Sequence, residues 1–179
     1  MTSMTHRERV LAAVDHEPTD RVPIDFGGTY ATTIYHASYE RLKRLLGLEH
    51  ETAIVSKTRP LAVPHASVLE RFDVDTRYLA LGAYESDQQE IDEDTYFDEW
   101  GTTWRKSGDG HYLYVDGPFF GIKNPDMALL ENHAWIDPNN PGYYRGLAER
   151  AAALRRDTDC AIILNLPVGI VHQAQFLRG

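Results

Sequence analysis

A nearly continuous apolar run late in the chain, Cys160 to Leu166 (CAIILNL), constrains the fold more than any other feature. A run of this kind is typical of a strand buried on both faces, as in a parallel sheet covered by helices. The segment before it, PGYYRGLAERAAALRRD, has apolar residues at helical spacing, and Pro167 and Gly169 follow it. This order of helix, buried strand and loop predicts an α/β fold with parallel strands.

Two earlier segments are also predicted to form buried strands. Val22 to Phe26 and Tyr78 to Ala83 are short apolar stretches that end on residues favouring loops. Together with Ala161–Leu166 they predict three neighbouring parallel strands in the order 1-2-3, with their carboxyl ends on one side. Helices are predicted between them, and the first helix begins at a capping box formed by Thr5 and Glu8.

Residues 90–123 differ from the rest of the chain. They are rich in aromatic and β-branched residues, and SGDG separates two such stretches, which predicts a β-hairpin. Residues 85–99 hold eight acids and no Lys or Arg. The acids are Glu85, Asp87, Glu90, Asp92, Glu93, Asp94, Asp98 and Glu99. A charge block of this kind favours a solvated surface insertion, and a metal site is the alternative.

Composition argues against several classes of function. The chain has 179 residues and a net charge of −9, which disfavours nucleic acid or an anionic membrane surface as the main partner. No apolar run approaches the roughly 18 residues of a membrane span, and the N-terminus has no signal-peptide core. Cys160 is the single cysteine and is interpreted as a buried structural thiol. We therefore expect a soluble, cytoplasmic protein.

Four stretches resemble, in order along the chain, proteins of the uroporphyrinogen decarboxylase superfamily. They are RERVLAAVDHEPTDRVPIDFGG, VLERFDVDTRYL, YFDEWGTTWRK and the final QFLRG. The resemblance implies a (β/α)8 TIM barrel, of which residues 1–179 are expected to be the N-terminal fragment of a single domain. That fragment comprises about three βα units, with residues 90–123 as a β-hairpin insertion. The last helix is cut off without a cap, so we expect a longer protein.

The superfamily contains at least two chemistries, so each functional position of this sequence is compared with the pattern of the decarboxylases. Its decarboxylases hold porphyrinogen carboxylates with an Arg-rich loop after the first strand, where this chain has GGTY at residues 27–30. They place an aspartate at the end of the second strand and a tyrosine after the third, where this chain has Gly82 and Gln175. These departures favour the other branch, the corrinoid-dependent methyltransferases, which transfer a methyl group between a corrinoid protein and an acceptor.

Three functions stay open on this evidence. They are part of such a methyltransferase, a uroporphyrinogen decarboxylase of porphyrin biosynthesis, and a truncated non-catalytic module that binds a tetrapyrrole or corrinoid. The expected partner is a corrinoid protein or a tetrapyrrole-like small molecule, and neither nucleic acid nor a membrane. The methyltransferase interpretation implies zinc and a corrinoid (cobalamin) for the full-length protein, with the zinc held by one His and two Cys from the second half of the barrel. We expect no cofactor, no stoichiometric zinc and no activity in residues 1–179 alone.

The candidate substrate-binding residues lie at the predicted carboxyl ends of the strands, where barrels keep their active sites. They are Asp25, Gly27, Gly28, Tyr30 and His172. Asp25 bonds substrate, orients a neighbouring side chain or accepts hydrogen bonds from nearby backbone N–H groups. The glycines allow a close backbone approach or a positive φ, or they form a plain turn. Tyr30 lines the barrel mouth or is an ordinary surface or packing residue. His172 is a pocket candidate because the loop after the third strand faces the barrel mouth. No catalytic residue or metal ligand is assigned, and the exposed sheet edges predict an oligomer or aggregation.

Overall fold

The structure is a computed structural model that describes residues 3–56, 60–86, 90–166 and 169–179, with the backbone alone at residues 90 and 91. Its helices are α1 (His6–Val14), α2 (His36–Leu46), α3 (Ala66–Arg71), α4 (Met127–Glu131), α5 (Pro141–Tyr144), α6 (Leu147–Asp157) and α7 (Ile170–Arg178). Its strands are β1 (Thr76–Ala80), β2 (Glu90–Asp92), β3 (Thr95–Phe97), β4 (Thr103–Lys106), β5 (Tyr112–Asp116) and β6 (Ala161–Asn165). The chain forms two compact units, Met1–Leu81 with Gly146–Asn165 and Gly82–Arg145 with Leu166–Gly179.

Helix α1 begins at the predicted capping box. The Thr5 side chain accepts the Glu8 N–H, and the Glu8 carboxylate accepts the Thr5 N–H at 2.9 Å. The Arg7 N–H of the first turn donates to the carbonyl of Asp159 at 2.8 Å, which ties α1 to the loop before β6. Among the helices that the structure describes, none has the length and apolar character needed to cross a membrane.

Strands β1 and β6 form a parallel pair, as predicted for the second and third strands, although β1 spans Thr76–Ala80 and not the predicted Tyr78–Ala83. Their register runs from Thr76 opposite Ala161 to Ala80 opposite Asn165, so both carboxyl ends lie at one edge. The first unit therefore has a mixed α/β architecture with helices α1 and α6 against this pair. The parallel sheet that the described residues form has two strands and is not closed.

The prediction of a regular first strand at Val22–Phe26 is wrong. The segment runs beside Asp75, whose N–H donates to Ile24 O at 2.9 Å, but the Ile24 N–H donates to the Asp75 carboxylate at 2.6 Å instead of to a strand. Pro23 precedes Ile24 and has no N–H to donate. Because Pro23 has no N–H and the Ile24 N–H bonds a side chain, the regular backbone hydrogen bonds of a parallel strand do not form here.

The second unit contains an antiparallel sheet in the order β2-β3-β4-β5. The predicted hairpin is confirmed, because β4 and β5 pair across SGDG, where Ser107 N–H donates to His111 O at 2.7 Å and Gly110 has φ of 88°. The sheet packs against α7 through Trp104, whose ring centroid lies 5.0 Å from that of Phe176. Residues 90–123 thus lie within a larger compact unit.

The acidic run does not behave uniformly. Residues 92–94 are exposed, as expected for a solvated insertion. Asp98 instead accepts two backbone N–H groups and the indole N–H of Trp104 at 2.7 Å. Burial raises the pKa of both Asp98 and Glu99, so the prediction of a solvated run is wrong for these last two acids. Asp87 lies outside the described residues.

Replacing Glu99 by Gln is expected to stabilise the protein at about pH 8 but not at about pH 3. Burial first, and then repulsion from Asp98, raises the pKa of the Glu99 carboxyl in the folded chain. Glu99 therefore favours folding below its unfolded pKa, and that contribution is lost as pH rises through the folded pKa. Urea unfolding at both pH values measures the effect, with Glu93→Gln as the exposed control. An unchanged midpoint at the higher pH would contradict this account.

Candidate substrate-binding loop

Residues 25–30 form a loop that side chains of both parallel strands hold in place. Asp25 Oδ1 accepts the Gly28 N–H at 2.9 Å and the Thr76 O–H at 2.6 Å, which ties the loop to β1. Asn165, the last residue of β6, donates its Nδ2–H to Gly28 O at 2.7 Å and accepts the Tyr30 N–H at 3.1 Å. The loop is therefore held at the amino end of β1 and at the carboxyl end of β6.

The two glycines of the loop serve different physical needs. Gly27 has φ of 82°, in the left-handed region that favours glycine, and a Cβ there would lie 2.6 Å from the Pro64 ring. Gly28 allows a close approach, because a Cβ would overlap Asp25 Oδ1 and lie 2.6 Å from Thr76 Oγ1. A side chain at either position would therefore strain the loop.

The structure brings four of the five candidate residues together in this loop. Asp25 Oδ1 accepts the Gly28 N–H and the Thr76 O–H, so this carboxylate bonds a nearby backbone N–H, as in one of the predicted alternatives. Tyr30 is half-buried, with its N–H bonded to Asn165. His172 lies on α7 in the second unit, where its exposed ring is 6.4 Å from the Phe176 ring.

Sequence reasoning missed Asn165 as a member of this site. Asn165 is buried, with 7% of its surface exposed, and its amide bonds the loop on both sides of Thr29, at Gly28 O and at the Tyr30 N–H. The signal was the polar residue inside the apolar run CAIILNL. A buried amide needs partners for its donors and acceptor, and here the loop provides them.

Seven ionisable side chains, alternately acidic and basic, lie across the amino ends of β1 and β6, and we call them the alternating charge chain. In order they are Asp20, Arg9, Asp75, Arg21, Asp73, His6 and Asp159, joined by N···O distances of 2.6, 2.5, 2.7, 2.6, 2.9 and 2.8 Å. The Asp75 side chain is fully buried and that of Arg9 is 6% exposed. Neither the spacing of these residues nor their local context predicts that the seven side chains pair in this way.

One group among the described residues has the composition of a metal site. One ligand atom each from His6, Asp159 and Cys160 lies within 4.8 Å of the other two. Both His6 nitrogens already face carboxylates, at 2.8 and 2.9 Å. Burial raises the pKa of the Cys160 thiol, which lies 3.6 Å from Val74 O, so a protonated thiol is favoured and a thiolate ligand is not. This donor set does not fit the one His and two Cys expected for zinc. Cys160 is buried, as predicted.

The purified chain is expected to hold zinc well below one ion per chain. A tetrahedral site needs deprotonated ligands, and the cluster offers a hydrogen-bonded imidazole and a protonated thiol. Elemental analysis after incubation with excess zinc and desalting measures the content, with Cys160→Ala as the matched variant. One zinc per wild-type chain that disappears in Cys160→Ala would refute the expectation.

No protein-family model, curated protein or solved structure matches this chain. The superfamily resemblance therefore rests on the four stretches of sequence given above. The loop contacts the first residue of β1 and the last residue of β6.

Proposed function

We propose that this chain belongs to the uroporphyrinogen decarboxylase superfamily and that residues 25–30 bind the tetrapyrrole ring of a corrinoid in methyl transfer. The observation that supports this best is the pair of hydrogen bonds by which Asn165 holds the loop. They fix it at the carboxyl end of β6, where α/β enzymes with parallel sheets bind their ligands. In the proposed barrel, β1 and β6 are the second and third strands.

The chemistry of the loop favours a corrinoid over a porphyrinogen. Residues 22–34 contain no Lys or Arg, so the segment offers no cation to a ligand with several carboxylates. Its neutral side-chain groups are the phenol of Tyr30 and the hydroxyls of Thr29 and Thr32, which bond each other at 3.1 Å, whereas the backbone N–H groups of residues 27–31 already donate within the chain. Neutral donors and acceptors suit the carboxamide side chains of a corrin ring.

Equilibrium dialysis of the purified chain against hydroxocobalamin tests this proposal. Saturable binding is expected, and Asn165→Ala should weaken it by at least about tenfold, because the loop loses both of its bonds to β6. Asn132→Ala is the matched control, since the Asn132 side chain donates to Ala128 O at the exposed end of α4. Circular dichroism of each variant establishes that the fold is retained.

Dialysis against coproporphyrin III distinguishes the decarboxylase alternative. Tighter binding of this carboxylate-bearing ring than of hydroxocobalamin would overturn the corrinoid assignment. Absence of binding by both ligands would overturn the proposed function altogether. Hydroxocobalamin binding that Asn165→Ala leaves unchanged would remove the loop from the site.

A further inference from the structure

His6 faces a carboxylate at each of its ring nitrogens. Its Nδ1 lies 2.8 Å from Asp159 Oδ1, and its Nε2 lies 2.9 Å from Asp73 Oδ1. A neutral imidazole carries one N–H, whereas the imidazolium carries two. Only the imidazolium can donate to both carboxylates, since the neutral ring sets a nitrogen lone pair against a carboxylate oxygen. The geometry therefore selects the charged form of His6.

We propose that protonated His6 is a latch that fastens the first turn of α1 to the loops preceding β1 and β6, and that loss of its proton opens this turn. His6 is the first residue of α1, and the two acids lie just before the two strands. Asp73 reaches its place in a left-handed conformation with φ of 52°, which Asp tolerates better than most residues. The latch therefore joins three separate segments of the first unit through one titratable ring.

The groups around His6 determine how the latch responds to protons. The titratable side chains near it are Asp73 and Asp159 on its nitrogens, Arg21 on the far oxygen of Asp73, Arg7 and Glu8 on its own helix, and Cys160 after Asp159. The Arg7 guanidinium donates to the backbone carbonyls of Thr158 and Cys160, whereas the His6 ring faces the carboxylates of Asp73 and Asp159. The hydrogen bond to Asp73 is the largest influence, and it raises the pKa of His6 against the opposing effect of burial.

The Arg7 amide reports on the latch. Its N–H donates to the carbonyl of Asp159, the residue whose carboxylate holds His6 Nδ1. The His6 side chain is 28% exposed, so its proton exchanges with solvent without unfolding of the core. When the ring becomes neutral, one of its two bonds is lost and the Arg7 bond is expected to open more often.

Nuclear magnetic resonance between about pH 5 and pH 9 tests the latch by following the His6 ring and exchange of the Arg7 amide. The His6 midpoint is expected to lie above the ordinary value of about 6.5. Across it, protection of the Arg7 amide should fall at least about fivefold after correction for intrinsic exchange. Asp73→Asn should lower the His6 midpoint, and His6→Gln should abolish the pH dependence of Arg7 protection.

His36→Gln is the matched control, because His36 is the first residue of α2 and has one carboxylate, Glu40, at 3.7 Å. It should leave the His6 midpoint and the Arg7 protection unchanged. A His6 midpoint at or below the ordinary value, or Arg7 protection independent of pH in the wild type, would overturn the latch. So would a pH dependence that persists in His6→Gln. If that variant does not fold, the midpoint in Asp73→Asn decides alone.

Discussion

Replacing Asp75 by Asn is expected to lower the free energy of unfolding by about 3–5 kcal/mol. The fully buried Asp75 carboxylate accepts hydrogen bonds from Arg9 Nη1 at 2.5 Å, Arg21 Nη1 at 2.7 Å and the Ile24 N–H at 2.6 Å. Asparagine keeps the shape but removes the charge that balances two guanidinium groups, and its NH2 group would face further donors. Because single domains are stable by only about 5–15 kcal/mol, the loss is a large share of the total.

Urea unfolding of the variant measures this loss against Asp157→Asn. Asp157 pairs with Arg156 at 2.8 Å in the same unit, but both side chains are mostly exposed. Exposed pairs of this kind contribute about 0–1 kcal/mol, so this control should unfold close to the wild type. Equal losses in the two variants would show that burial of the alternating charge chain is not the source of the effect.

The elements that the sequence predicted correctly depend on signals carried by neighbouring residues. The capping box needs only Thr5 and Glu8, and the hairpin needs only SGDG between two strand-forming stretches. The apolar stretches around β1 and β6 correctly predict a parallel pair, but the burial of β6 on both faces that they also predict is incomplete, because Leu164 is 46% exposed. In each case the physical cause lies within a few residues of the element it produces.

The elements that the sequence missed depend on distant partners. Asp75 looks like a cap or turn residue before a strand, but its guanidinium partners Arg9 and Arg21 lie 66 and 54 positions away. Its carboxylate also takes the Ile24 N–H, which helps to turn the predicted strand Val22–Phe26 into an irregular segment. A side-chain acceptor that competes with a backbone ladder becomes visible only when the chain has folded.

The stretches that carry the superfamily resemblance contribute to stability as well as to the candidate site. RERV supplies Arg9, DRVP supplies Arg21, and FDVD supplies Asp73 and Asp75, all of which lie in the alternating charge chain. The DFGG end of the first stretch lies instead in the loop bonded to Asn165. The stretch RERVLAAVDHEPTDRVPIDFGG therefore contributes both to the buried ion pairs and to the candidate loop. A match to this stretch alone does not distinguish stability from ligand binding.

Replacing Gly28 by Ala is expected to lower the free energy of unfolding by about 1–3 kcal/mol. It should also weaken hydroxocobalamin binding by at least about tenfold, since the loop must shift to relieve the overlap. The new Cβ would overlap Asp25 Oδ1 and lie 2.6 Å from Thr76 Oγ1, and neither group can swing away cheaply because they are hydrogen-bonded to each other. Gly108→Ala is the matched control, because a Cβ there meets no atom within 4 Å.

A double-mutant cycle with Asp25→Ala separates this overlap from a general effect of alanine on the loop. Asp25→Ala removes one of the groups that the Gly28 Cβ would meet, so Gly28→Ala should cost less in that background than in the wild type. Urea unfolding of the four proteins gives the coupling. If the losses in free energy of unfolding of Gly28→Ala and Asp25→Ala are simply additive, the overlap with Asp25 is not the source of the strain. Coupling in stability together with loss of hydroxocobalamin binding would link the close packing of the loop to its proposed task.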